Sequence, residues 1–74
     1  MMKPRIFDVV RLLVNLPEHG LPQDAEGTIV ECYPDDTYEI EFADKSGETL
    51  ALCALSPDQF SVVWQAKPQK SSLA

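Results

Sequence analysis

Seventy-four residues with a formal net charge of −6 and 45% hydrophobic content describe one small domain, near the size at which folding buries only about 60% of the unfolded chain's surface. Six prolines break the chain into segments too short for a long helix. Eleven of the twelve acids lie between Glu18 and Asp58, where Lys45 is the only base, and such a body excludes nucleic-acid binding, which demands clustered Lys and Arg.

The N-terminal "MMKPRIFDVVRLLVN" has basic residues before an apolar stretch, in the manner of a secretory signal. Asp8 and Arg11 interrupt the apolar part and no small-residue cleavage site follows, so it reads as mature sequence. No run approaches the ~18 apolar residues of a membrane span, and a soluble, cytoplasmic protein is expected. "FDVVRLLV", Phe7 to Val14, reads as a first strand with Asp8 and Arg11 outward or at a bend. A long loop follows, Asn15 to Ala25. Within it "LPEHGL" carries the only histidine, His19; prolines limit its chain, Gly20 allows a turn, and Leu16 and Leu21 are expected to tuck against the body.

"EGTIVECY", Glu26 to Tyr33, reads as a second strand. Ile29 and Cys32 are three apart, so both face inward only with a bulge; without one, either Ile29 and Tyr33 or Val30 and Cys32 do. "PDDT", Pro34 to Thr37, is a turn. "YEIEFA", Tyr38 to Ala43, alternates cleanly, with Tyr38, Ile40 and Phe42 on one face and Glu39 and Glu41 on the other. "DKSG", Asp44 to Gly47, is a hairpin loop with Gly47 at a positive φ. Glu48 to Leu55 is an almost wholly apolar fourth strand, expected to be central. "SPDQF", Ser56 to Phe60, suits a single 3₁₀ turn, Ser61 to Trp64 is a short last strand, and the polar residues 66–74 read as a disordered tail.

Five short strands, a long first loop and one 3₁₀ turn before the last strand predict an all-β fold: a small SH3-like barrel over residues 1–65. Closure would also protect the edges of the sheet.

The segments "FDVVRLLVNLPEHGLPQDAEGTIVECY", "YEIEFAD" and "ALCALSPDQF" resemble the small bacterial family named domain of unknown function DUF4926. Its members show a D-V-V strand, an "LPEHGL" loop, G-T-V-V-E, Y-E-V-E-F and L-x-x-D-Q-L, and the resemblance covers about residues 6–62. More distantly the chain is similar to other SH3-like barrels, including the β chain of nitrile hydratase and small accessory subunits of photosynthetic electron transport. The resemblance implies the fold and carries no activity. Cys32 and Cys53 stand where the family pattern suggests aliphatics, and "PDDT" lacks a glycine common in that turn.

His19 has Glu18 beside it and Asp24 in the same loop, but catalysis needs a positioned partner and a metal needs further ligands, so the loop reads as a shaped recognition surface. Cys32 and Cys53 fall on strands two and four, two spacings of about 4.8 Å apart and beyond the ~7 Å reach of a disulfide; both read as buried free thiols. Glu31, Asp35, Asp36, Glu39, Glu41 and Asp44 gather on one hairpin, either as a solvated face or as a surface kept for a basic partner. "PDDTYE" falls short of a calcium loop. Trp64, Phe60, Tyr33 and Tyr38 read as core residues or barrel-end plugs.

The resulting expectation is a non-enzymatic protein-interaction module without metal or cofactor. Its partner-binding residues are Glu18, His19 and Leu21 in the loop and Glu31, Asp35, Asp36, Glu39 and Glu41 in the hairpin, facing a larger, basic protein. An inhibitor, antitoxin or immunity-type role is one version. The alternative, suggested by the distant barrels, is an accessory subunit of an enzyme or electron-transfer complex.

Overall fold

A computed structural model describes residues 3–67. Five antiparallel strands, β1 (Val9–Leu12), β2 (Glu26–Cys32), β3 (Tyr38–Ala43), β4 (Thr49–Leu55) and β5 (Phe60–Trp64), form one sheet in the order β4-β3-β2-β1-β5. All-β architecture is as the sequence implies. The 3₁₀ turn before β5 is present at Pro57–Gln59, and a second lies at Pro17–His19 in the long loop.

The sheet is curled. Tyr38 of β3 and Phe60 of β5 meet edge to face with ring centroids 5.8 Å apart, although three strand spacings separate their strands, about 14 Å in a flat sheet. Such curvature is compatible with a small barrel, but the hydrogen-bonded order leaves β4 and β5 at its two ends.

Inside the curl sit Val10, Leu12, Ile29, Tyr38, Ile40, Phe42, Cys53, Leu55 and Phe60, closed over by Leu16 and Leu21 of the loop. Leu16 and Leu21 also pair through their backbones, as the apolar residues flanking "PEHG" suggest. β3 keeps its expected alternation, with Tyr38, Ile40 and Phe42 buried and Glu39 and Glu41 half-buried on the opposite face.

The turns are built from short polar side chains that hydrogen-bond their own backbone. Asp35 accepts the Thr37 N–H at 3.2 Å and the Thr37 hydroxyl at 2.6 Å. Asp44 accepts from the Ser46 N–H at 2.9 Å, the Ser46 hydroxyl at 2.7 Å and the Glu48 N–H at 2.9 Å, and Gly47 takes the required positive φ of 89°. Ser56 and Gln59 form a capping box around the second 3₁₀ turn.

Several expectations are corrected. The first strand is four residues long: Phe7 adopts φ 74°, and regular pairing begins only at Val9. Asp8 does not point outward; it is fully buried. Its Oδ2 accepts the Arg5 N–H at 3.0 Å and its Oδ1 the Ala66 N–H at 2.8 Å, so the chain on either side of the five strands is clasped by one carboxylate. Ala66 is thereby fixed at the start of the expected tail, and residues 68–74 lie outside the described residues.

In β2 the bulge is present, between Ile29 and Glu31. Cys32 is consequently paired with inward-facing Tyr38, but it lies at the sheet's end and is exposed, whereas Cys53 is buried; both thiols are free. β4 is an edge strand rather than a central one, and its Leu50 and Leu52 are 59% and 55% exposed. Tyr38 and Phe60 are core residues, but Tyr33 and Trp64 are exposed because they lie at strand ends beyond the core.

Candidate functional site

Register places the carboxylates of the hairpin on the sheet's outer face. Glu31 of β2 stands directly opposite Glu39 of β3, Glu41 stands opposite Thr28 of β2, and on the other side β4 sets Ala54 beside Glu39 and Leu52 beside Glu41. Since residues two apart on a strand share a face, Glu39 and Glu41 project together. The result is a strip of three carboxylates bordered by exposed leucines. Like charges directly opposed across strands destabilise a sheet.

Neighbouring hydroxyls hold two of these carboxylates. The Tyr33 phenol donates to Glu39 at 2.9 Å, and this bond, with the negative charges nearby, pushes the phenol's pKa up. The Thr49 hydroxyl donates to Glu41. Both anions are thus oriented without being neutralised.

The remaining acids serve other ends. Asp35 and Asp44 are held below the usual carboxylate range, chiefly by the hydroxyls of Thr37 and Ser46, and their oxygens fix the turns at opposite ends of β3. Asp36 makes an exposed ion pair with Lys3 at 3.4 Å. Of the expected set, then, Glu31, Glu39 and Glu41 form the face, while Asp35 and Asp36 sit at the hairpin tip.

Glu18 and His19 are exposed on the Pro17–His19 turn, whose His19 N–H donates to Leu16 at 3.0 Å. Leu21 is buried in the core, so its side chain is removed from the expected contact surface. Burial raises the Cys53 pKa, and the charges of Glu39 and Glu18 add to it. The Cys32 thiol is likewise pushed up, first by partial burial and then by Glu31. Neither cysteine has the electropositive setting that activates a thiolate.

Exposed apolar groups lie beside this face and elsewhere on the sheet, and sequence reasoning missed them. Leu50 and Leu52 flank the carboxylate strip on β4, Trp64 is exposed on β5, and Phe7 is 65% exposed at its strained backbone position. A run of apolar residues gives no sign of being an edge.

Two depressions are open to solvent. One lies on the outer face among Val9, Glu26, Thr28, Glu41 and Ala43. The other lies along Pro4, Ile6, Phe7, Cys32 and Ala66. Among the described residues no group of three or more His, Cys, Asp or Glu is placed to hold a metal ion, and no helix is long and apolar enough to cross a membrane.

The model of the family described as domain of unknown function (DUF4926) matches residues 6–62, most of the chain, and the chain belongs to that family. No curated protein and no solved structure matches it.

Proposed function

We propose that this member of the DUF4926 family is a small, non-enzymatic protein-interaction module that docks a larger, basic protein on the outer face of its β2–β3 hairpin. The observation that carries this reading is the direct opposition of Glu31 and Glu39. Such a pair costs the free chain stability, and a Lys or Arg brought between the two carboxylates converts repulsion into charge-assisted hydrogen bonds. Leu52 and Leu50 beside the strip supply apolar area to the same contact, and Glu18 and His19 supply its edge. An inhibitor of a basic enzyme or toxin, working in the cytoplasm where free thiols stay reduced, is the form that suits a small acidic domain.

The test is affinity purification from the native host at low and at high salt, with wild type beside Glu31→Gln. A partner retained at low salt and lost at high salt is expected, because exposed charge contacts are screened. Glu31→Gln should weaken capture while raising the stability of the free chain by about 0.2–1 kcal/mol, the scale of a cross-strand pair. Capture unchanged by both salt and substitution would show that the acidic face is not the contact.

A further inference from the structure

The chain reverses through Arg5–Asp8 before it enters β1, with the Asp8 N–H donating to the Arg5 carbonyl at 3.0 Å. Phe7 takes the third place of this turn at φ 74°, where a type II turn favours glycine. A bulky residue in that region is a strained outlier, and strain of this kind collects at ligand sites. The strain gains no burial: the Phe7 side chain is 65% exposed and its neighbour Ile6 is 40% exposed.

Both residues line a depression of about 450 Å³, together with Cys32, Ala66 and the cations Arg5 and Lys67. That volume lies within the range of small-molecule sites. In a molecule of net charge −6, the lining holds two cations and no acid. The acids felt at Cys32 are Glu31 and Asp8, and both are committed elsewhere. Glu31 stands opposite Glu39, and Asp8 has its two oxygens engaged by the N–H groups of Arg5 and Ala66. Arg5 itself is only partly satisfied. Its Nη2 donates to the Ala66 carbonyl at 3.0 Å, whereas its Nε–H is buried with no acceptor among the described residues. A buried donor left unmet is costly, and a ligand that carries an acceptor relieves that cost.

We propose that this depression binds a small apolar monocarboxylate, with the carboxylate on Arg5 and Lys67 and the hydrocarbon part over Phe7, Ile6 and Cys32. Charge and donor chemistry both select the carboxylate, which accepts two guanidinium N–H groups side by side. The lining selects the hydrocarbon. Phe7 is held out at the wall of the depression by its strained backbone, and covering its ring removes apolar surface from water. This site shares no residue with the acidic outer face, so ligand binding here and capture of the basic partner fail separately.

Octanoate is the probe, added to the ¹⁵N-labelled full chain while amide spectra are recorded. Saturable shifts are expected at Arg5–Asp8, Cys32, Ala66 and Lys67, with a Kd on the order of 0.1–1 mM, the scale for a ligand of about ten non-hydrogen atoms. Octylamine has the same chain with the opposite charge, octanol has no charge and acetate has no chain; each should bind at least about 10-fold more weakly. Arg5→Gln, which keeps an N–H donor but loses the charge and the fork, should weaken octanoate by about 10-fold. Phe7→Gly guards against a loss of binding that is only a loss of folding, because glycine adopts positive φ without strain. It should unfold at the same or a higher urea concentration while binding octanoate about 5-fold or more weakly. Shifts that fail to saturate by about 10 mM, that fall on the outer face, that octylamine or octanol reproduces at equal concentration, or that persist undiminished in folded Phe7→Gly overturn the proposal.

Discussion

Replacing Asp8 with alanine strips the acceptor from two N–H groups, of Arg5 and Ala66, at a site with no access to water from Asp8's side. Each unsatisfied donor costs roughly 1–3 kcal/mol, so urea unfolding of Asp8→Ala should show a loss of about 2–4 kcal/mol. Gly27 is the second residue with a sharp demand. A Cβ there would sit 2.8 Å from Ile40 Cγ2 and 2.8 Å from the Phe42 ring, inside a core that tolerates overpacking poorly. Gly27→Ala should destabilise by about 1–3 kcal/mol, measured the same way. Asp8 was legible in principle: it shares the parity of Val10 and Leu12, both inward. Its charge argued for the outside, and the backbone partners that make burial tolerable include one from the far end of the chain, where local pattern gives no warning. Gly27, by contrast, reads only as the opening of a strand, because the two side chains that press on it belong to β3.

At the scale of elements, the turns should give the fold an acid-sensitive component. The carboxyls of Asp35 and Asp44 have pKa values lowered by the hydroxyls and N–H groups they accept from. A lowered value in the folded state means that the contribution is present above the unfolded carboxyl's pKa and is lost as pH falls through the folded one. Urea midpoints should therefore drop between about pH 5 and pH 2, and Asp44→Ala should be less stable at neutral pH but less acid-sensitive. These turns were legible because their chemistry is local: Asp, Ser, Thr and Gly within four residues specify the bend and the bonds that hold it. The rank of β4 was not. Seven apolar residues in a row describe a strand buried on both faces equally well as an edge awaiting a partner, and strand order is a property of distant pairing. The bulge in β2 was legible as a condition, since Ile29 and Cys32 could share a face only with it, but the exposure of Cys32 depends on where the sheet ends.

For the whole molecule, the charge division seen in the sequence survives folding in a sorted form. The sequence presents six acids of the hairpin as one set. The structure assigns Asp35 and Asp44 to turns, Asp36 to an ion pair with Lys3, and Glu31, Glu39 and Glu41 to one face. Which acids could meet a partner was legible only for Glu39 and Glu41, whose spacing of two fixes their common side; Glu31 joins them through the bulge. The loop is the shaped element that its prolines and glycine imply, but Leu21 shapes it from within the core. A fold this small leaves little interior, and the groups free to do work are those that the core, the turns and the caps do not use.

The pairing of β1 with β5 has a mechanical consequence. Val9, the first residue of β1, lies opposite Trp64, the last of β5, so the chain enters and leaves this strand pair at the same end. A pull on the two ends loads the Arg5–Ala66 and Asp8–Ala66 bonds first and then the rungs from Val9–Trp64 to Leu12–Phe60 in turn, as a zipper opens. Under such a load the two strands separate rung by rung, never sharing the force as they would in shear. The contacts of Arg5 and Asp8 with Ala66 stand at the mouth of the zipper and are the first to yield when both ends are pulled.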